Sequence, residues 1–142
     1  MNILYTAHAT STGGGRDEGR STTDDGKIDV LLSLPAEMGG KDGAGTNPEQ
    51  LFAAGYAACY MGALRLVSSK AGTPVGPDTK IHTSVGIGPN TRGEGFNLDI
   101  AIKVTDHGLE KATIDTLIEA AHQVCPYSNA VRGNVPVELK LV

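Results

Sequence analysis

The segment Leu51–Val67, LFAAGYAACYMGALRLV, constrains this chain most, because it is apolar on nearly every side and follows a strong helix start. Asn47 suits the N-cap, Pro48 the first helical position, and Gln50 follows the cap by three residues as in a capping box. The pattern predicts a helix from Asn47 to about Lys70, with Gly72 beyond its end. A helix without a polar face belongs inside a fold. Its small residues, Ala53, Ala54, Gly55, Ala57, Ala58, Gly62 and Ala63, let strands or another helix approach closely.

Strands are expected around it. Residues 2–10 read as a short strand. Ile28, Val30, Leu32 and Leu34 alternate just after the turn signal Asp24-Asp25-Gly26, which predicts a hairpin. Ile81, Thr83, Val85 and Ile87 form a second alternating run, and Phe96, Leu98, Ile100, Ile102 and Val104 a third, joined through Gly88–Gly95. Val137, Leu139 and Leu141 make a last strand. A second helix is expected over about Leu109–Val124, since Ile114, Leu117, Ile118, Ala121, Val124 and Cys125 share one face. Pro126 ends it, and a further turn is expected through Tyr127–Val131. Ser11–Gly19 and Met38–Gly45 read as loops. The order points to an α+β fold with antiparallel sheet.

With 142 residues the chain is expected to form one domain over 1–142, large enough to build a core without metal or disulfide staples. Aromatic residues are only 4% and Trp is absent, so that core rests on aliphatics and Ala. Twelve basic against sixteen acidic residues make nucleic acid and anionic membrane poor partners. No unbroken apolar run reaches the ~18 residues of a spanning helix. The start, MNILYTAHAT, has neither the charged nor the apolar region of a signal peptide. The expected compartment is the reducing cytoplasm, where two cysteines are not a structural staple.

Those cysteines, Cys59 and Cys125, each fall on an inward helix face, 66 positions apart. One reading makes both small core residues. The other makes them a dithiol pair in which one thiolate attacks and the second resolves the oxidised product. That second reading needs an activating cation, because apolar burial raises a thiol pKa. Arg16 in GGGRDEGR is the first candidate and Arg20 the second. A buried Arg needs a counter-charge, which Glu49 or Asp17 can supply. Glu49 and Cys59 are ten residues apart, about 15 Å along a helix axis, so a side chain as long as Arg must bridge them or a second subunit must contribute. This argues for a dimer with shared sites.

The sequence resembles the organic hydroperoxide resistance (Ohr) proteins of the OsmC/Ohr family. The resemblance lies in GGRD at 14–17, GTNPEQLFAAGYAACYMGAL at 45–64, VGIGP at 85–89 and AAHQVCPYSNAVRGNV at 120–135, and it covers the whole chain. It implies antiparallel sheets wrapped around central helices in an intertwined homodimer, with two active sites at the interface. It implies a thiol-dependent peroxidase that reduces alkyl and lipid hydroperoxides and is itself reduced by lipoylated proteins or another dithiol. Cys59 falls on the peroxidatic cysteine, Cys125 on the resolving one, Arg16 on the active-site arginine and Glu49 on the glutamate that holds it. The family usually reads GGRDGR where this chain reads GGRDEGR. A gap after Asp17 keeps Arg16 in the role; the other placement moves it to Arg20.

Phe52, Tyr56, Tyr60, Met61 and Tyr127 are the candidates for an apolar substrate pocket. No cofactor and no metal are expected: His122 and Cys125 share a helix face, but His8, His82 and His107 do not cluster with them. Ser128 lacks the context of a nucleophile elbow. The competing functions are an OsmC-type peroxidase of different substrate preference, a cysteine-based redox sensor, and a Cys59–His122 acyl-transfer hydrolase.

Overall fold

A computed structural model describes all residues, Met1–Val142. The chain packs as two compact units, Met1–Leu51 and Phe52–Val142.

The first unit is an antiparallel meander of β1 (Ala9–Gly13), β2 (Gly19–Thr23) and β3 (Asp29–Leu31). Residues 2–8, expected to belong to a strand, have no regular structure, and the strand begins only at Ala9. The expected loop over 11–19 is correspondingly shorter. It closes over Gly14–Glu18, where a Cβ on Gly19 would meet the Gly15 carbonyl oxygen at 2.1 Å. The β2–β3 hairpin forms at the anticipated turn. The Thr23 amide donates to the Ile28 carbonyl, and the Asp25 carboxylate accepts from the Thr23 hydroxyl at 2.7 Å and the Lys27 amide at 3.1 Å. After a single 3-10 turn at Ala36–Met38, the chain returns to β3. The Thr46 amide donates to the Leu31 carbonyl and the Ser33 amide to the Thr46 carbonyl. This return sets the start of α1 (Pro48–Lys70) beside the meander. The cap forms as the sequence predicts, with the Gln50 amide donating to Asn47 Oδ1 at 2.8 Å. The Gln50 side chain does not reach back to the cap; its Oε1 accepts from the Thr46 hydroxyl.

The second unit holds most of α1, a three-stranded sheet, and two further helices. β4 (Lys80–Pro89) and β5 (Phe96–Thr105) pair antiparallel over their whole lengths. β6 (Val137–Leu141) departs from the expected antiparallel arrangement and joins β5 in parallel. Parallel neighbours need a long crossover, and α2 (Lys111–Val124) with α3 (Pro126–Val131) provides it. The core joins Ile100, Ile102 and Val104 of β5 to Ile114, Leu117, Ile118 and Ala121 of α2 and to Tyr56, Tyr60 and Leu64 of α1.

By length and composition alone α1 could cross a bilayer. Its buried face is instead that of a core helix, because two of its tyrosine hydroxyls bond to groups on α2 and α3. Only one face of it is buried within the chain. Ala54, Ala58, Gly62 and Leu66 stay exposed along another, so the expectation of a helix enclosed on all sides is not met by one chain.

Candidate active site

Cys59 and Cys125 come together. Cys125 ends the apolar stripe of α2 and is fully buried, whereas Cys59 on α1 is half-buried. The Cys125 thiol donates to the Cys59 sulfur at 3.5 Å, and both thiols are free. The placement follows from the sequence. Cys125 precedes Pro126, and a residue before proline is held out of the helical region. Its ψ of 124° breaks the α2–α3 helix pair at the sulfur. Arg132, just past α3, folds back and donates to the His122 carbonyl at 2.6 Å, closing the bend.

The turn that opens α3 also serves Cys59. The Tyr127 backbone amide favours the Cys59 thiolate. Burial pushes the Cys59 thiol above its ordinary pKa, the Tyr127 amide pulls it down, and the neighbouring Cys125 pushes it up. The net shift is upward, so the pair by itself favours a protonated nucleophile.

The aromatic candidates divide. Phe52, Gly55, Tyr56 and Cys59 occupy one face of α1, at the i, i+3, i+4, i+7 spacing of a helix. Phe52, Tyr56 and Tyr127 cluster there, with ring centroids 5.6–5.9 Å apart. Tyr127 is 39% exposed and forms the open side of the cluster. Tyr56 is fully buried, and its hydroxyl shares a 2.8 Å hydrogen bond with the Ser128 hydroxyl. Tyr60 is also fully buried and donates to the Ile118 carbonyl at 2.7 Å, so its hydroxyl is spent on holding α1 to α2. Met61 sits about 200° around α1 from Cys59 at ~100° per residue, away from this cluster.

Gly55 and Ser128 join the site without a role assigned by the sequence pattern. The Tyr127 ring lies over Gly55, where a Cβ would stand 3.0 Å from the Tyr127 hydroxyl oxygen. The helical spacing to Cys59 is the available signal for Gly55. For Ser128 there is none, because its partner is 72 residues away.

Arg16 and Glu49, in the first unit, form a two-pronged ion pair: Nη1 to Oε2 at 2.8 Å and Nη2 to Oε1 at 2.9 Å. Arg16 is on the β1–β2 turn and Glu49 in the first turn of α1. Their hydrogen bond raises the guanidinium pKa and lowers that of the carboxyl, so both stay charged at neutral pH. Arg20, the other candidate, points to Asp29 across β2 and β3 and pairs with it at 2.6 Å in an exposed bridge. Asp17, the other possible counter-charge, accepts a hydrogen bond from the Leu34 amide at 3.3 Å. His122 carries a buried Nδ1 without a hydrogen-bond partner, and burial lowers its pKa. Neither cysteine hydrogen-bonds to it.

Residues 39–140 match the family model described as OsmC-like protein. The chain is 51% identical over 139 residues to an organic hydroperoxide resistance protein of Xanthomonas axonopodis pv. citri, covering 98% of this chain and 95% of that one. It is similar to the crystal structure of the organic hydroperoxide resistance protein OhrB of Bacillus subtilis. The TM-score is 0.87 at 41% identity, over 99% of this chain and 100% of that one. The crystal structure of an organic hydroperoxide resistance protein from Elizabethkingia anophelis, with thiocyanate bound, matches with TM-score 0.91 and 43% identity. It covers 99% of this chain and 98% of that one.

Proposed function

Since the chain belongs to the OsmC-like family and stands among its organic hydroperoxide resistance proteins, we propose that it acts as a cysteine-based peroxidase that reduces organic hydroperoxides to alcohols. The observation that carries this reading is the dithiol itself: a partly exposed sulfur accepting a hydrogen bond from a buried one 3.5 Å away.

In the proposed cycle Cys59, as thiolate, attacks the distal oxygen of ROOH along the O–O bond. The O–O bond breaks, the sulfur is oxidised to sulfenic acid, and the alkoxide takes a proton to leave as ROH. The Cys125 thiol then condenses with the sulfenic acid, forming the Cys59–Cys125 disulfide and releasing water. A lipoylated protein or another dithiol returns two electrons and two protons by exchange.

The raised pKa of Cys59 defines what else the cycle needs. A fixed cation must favour the thiolate and then the leaving alkoxide. Arg16 is assigned that role, held and oriented by Glu49. Its planar fork matches the carboxylate on one side and leaves donors for the reacting atoms. Arg20 is a weaker candidate because its pair with Asp29 is an exposed bridge, whereas the Arg16–Glu49 pair is partly buried. Phe52 and Tyr127 present an apolar face to an alkyl chain, with Tyr56 and Tyr60 behind them and Met61 further round the helix. Each buried CH₂ contributes about 0.8 kcal/mol, which favours organic hydroperoxides over hydrogen peroxide.

The working unit is assigned as a homodimer with sites at the interface. Two open surfaces support it. Every residue of β1 is exposed, as are Ile3, Leu4 and Tyr5 before it. The small-residue stripe Ala54, Ala58 and Gly62 of α1, with Leu66 beyond it, is uncovered. The reducing cytoplasm, which regenerates the dithiol, is the proposed compartment, with no nucleic acid or membrane as partner.

A peroxide consumption assay with dihydrolipoamide tests the reading. Turnover with cumene hydroperoxide, stopped by Cys59→Ser and limited to one equivalent by Cys125→Ser, supports it. A Cys59–His122 hydrolase or a sensor gives no catalytic consumption.

A further inference from the structure

We propose that the buried hydrogen bond between Tyr56 and Ser128 is a clamp that presets the two sulfurs for disulfide closure, making both residues positioning residues for the resolving step. The inference rests on the peroxidase reading and extends it to residues outside the dithiol and the ion pair.

The geometry is specific. Tyr56 lies one helical turn before Cys59 on the same side of α1. Ser128 lies three residues after Cys125, in the first turn of α3. Their hydroxyls meet at 2.8 Å, and both residues are fully buried. The bond therefore ties the segment carrying Cys59 to the short segment carrying Cys125 and the Tyr127 amide. α3 has only six residues, too few to hold its place by helix propensity. The bend before it is closed from the far side by Arg132 on the His122 carbonyl, and Arg132 also donates to Asn129 Oδ1 within α3. Neither contact reaches α1. Tyr60 anchors α1 to α2 through the Ile118 carbonyl, which fixes the helices but not the turn beyond the bend. Tyr56–Ser128 is the side-chain hydrogen bond that fixes α3 to α1 where the sulfurs meet.

The step it serves is the condensation of Cys59–SOH with the Cys125 thiol, in which the S–S bond forms, the S–O bond breaks, and the thiol proton leaves with the hydroxyl as water. Sulfur must approach sulfur in a narrow geometry, and a pre-held pair raises the effective concentration of one for the other. Without the clamp the sulfenic acid persists and a second hydroperoxide can oxidise it to sulfinic acid.

The test uses the full chain, reduced with dithiothreitol and desalted, mixed with one equivalent of cumene hydroperoxide. Sulfenic acid is trapped with dimedone at timed intervals, and the disulfide is followed by mass spectrometry. Tyr56→Phe and Ser128→Ala should each lower the ratio of the disulfide-closure rate to the sulfenic acid formation rate by about tenfold, the scale of one lost hydrogen bond. The double variant should be no slower than either single one, because both remove the same bond. The disulfide's equilibrium with dithiothreitol should move about tenfold toward the dithiol, or about 30 mV for a two-electron couple. A merely structural contact would lower the melting temperature without moving that ratio. Should Tyr56→Phe fail to fold, Ser128→Ala breaks the same bond from the other side and decides the matter. Closure at the wild-type ratio in a folded single variant, or additive losses in the double variant, overturns the clamp. A wild-type chain that consumes hydroperoxide but never joins Cys59 to Cys125 overturns the peroxidase cycle and the clamp together.

Discussion

Arg16 and Glu49 meet fork to fork, with two parallel N–H···O contacts of 2.8 and 2.9 Å, while Arg20, four residues on, is committed to Asp29. The extra residue in GGRDEGR leaves two arginines open as the activating cation. The arginine held by the first turn of α1 is the one assigned to the thiolate.

The two arginines are separable by substitution. Arg16→Lys removes the planar fork while keeping the charge, and an ammonium does not reproduce the two-pronged contact. It should lower kcat/KM for an organic hydroperoxide by about 100-fold, the scale of losing one oriented transition-state donor. Arg20→Lys disturbs a bridge between two exposed side chains, a kind of pair that contributes little in water. It should change kcat/KM by less than about threefold. Equal losses in the two variants would return the role to the open question posed by the sequence.

The pH dependence follows from the directions of the shifts. Burial holds the Cys59 thiol above its ordinary range, so a chain without the activating cation should react faster as pH rises through that raised value. Arg16→Met should therefore show a sulfenic acid formation rate that climbs steeply between neutral and alkaline pH. The wild-type rate should already be near its plateau at neutral pH. Stopped-flow rates across pH measure both.

Glu49 is one of the carboxylates, with Asp25, Asp29 and Asp106, whose lowered pKa values tie stability to acid pH. Its carboxyl pKa is lowered by the hydrogen bond from Arg16. The pair's contribution is present above the ordinary carboxylate value and is lost as pH falls through the depressed folded value. Glu49→Gln should remove that part of the acid-side loss of thermal stability, and melting temperatures between pH 3 and pH 7 are the measurement.

Gly55 should control the mouth. A methyl group there stands 3.0 Å from the Tyr127 hydroxyl oxygen and 3.4 Å from its ring. The exposed ring must shift to admit it, while Ala improves helix propensity by about 1 kcal/mol over Gly. Gly55→Ala should fold, with a melting temperature near that of wild type. It should raise KM for cumene hydroperoxide more than for the smaller tert-butyl hydroperoxide, and steady-state kinetics with both substrates read the difference.

Leu66 tests the dimer about 10 Å along α1 from Cys59. It is 49% exposed on the open stripe of α1, two turns beyond Cys59. Leu66→Glu places a charge where the proposed dimer buries an apolar residue, and sedimentation should shift from dimer toward monomer. A wild-type chain that sediments as a monomer contradicts the shared-site arrangement outright.

Much of this site was legible in the residues. Asn47-Pro48 marks the start of α1, and the stripe from Ile114 to Cys125 puts the second sulfur on an inward face. Both signals are local, a cap and a period. What escapes the sequence is non-local or lacks a pattern. β2 is GRSTT, polar throughout, and becomes a strand only because it lies between β1 and β3. β6 alternates like any strand, and its parallel direction is set by a crossover that no alternation reports. Ser128 has no meaning until Tyr56, 72 residues earlier, is folded against it. The Tyr127 amide is invisible for a different reason: its contribution is backbone, supplied by the bend that Pro126 imposes and not by side-chain identity.

Whether Cys59 and Cys125 form one redox unit is decided by mass spectrometry of the reduced chain after one equivalent of cumene hydroperoxide, with peptide mapping under non-reducing conditions. The expected product is a chain lighter by two hydrogens, with the Cys59 and Cys125 peptides joined. A Cys59 peptide carrying added oxygen beside a Cys125 that remains a free thiol would contradict the dithiol cycle.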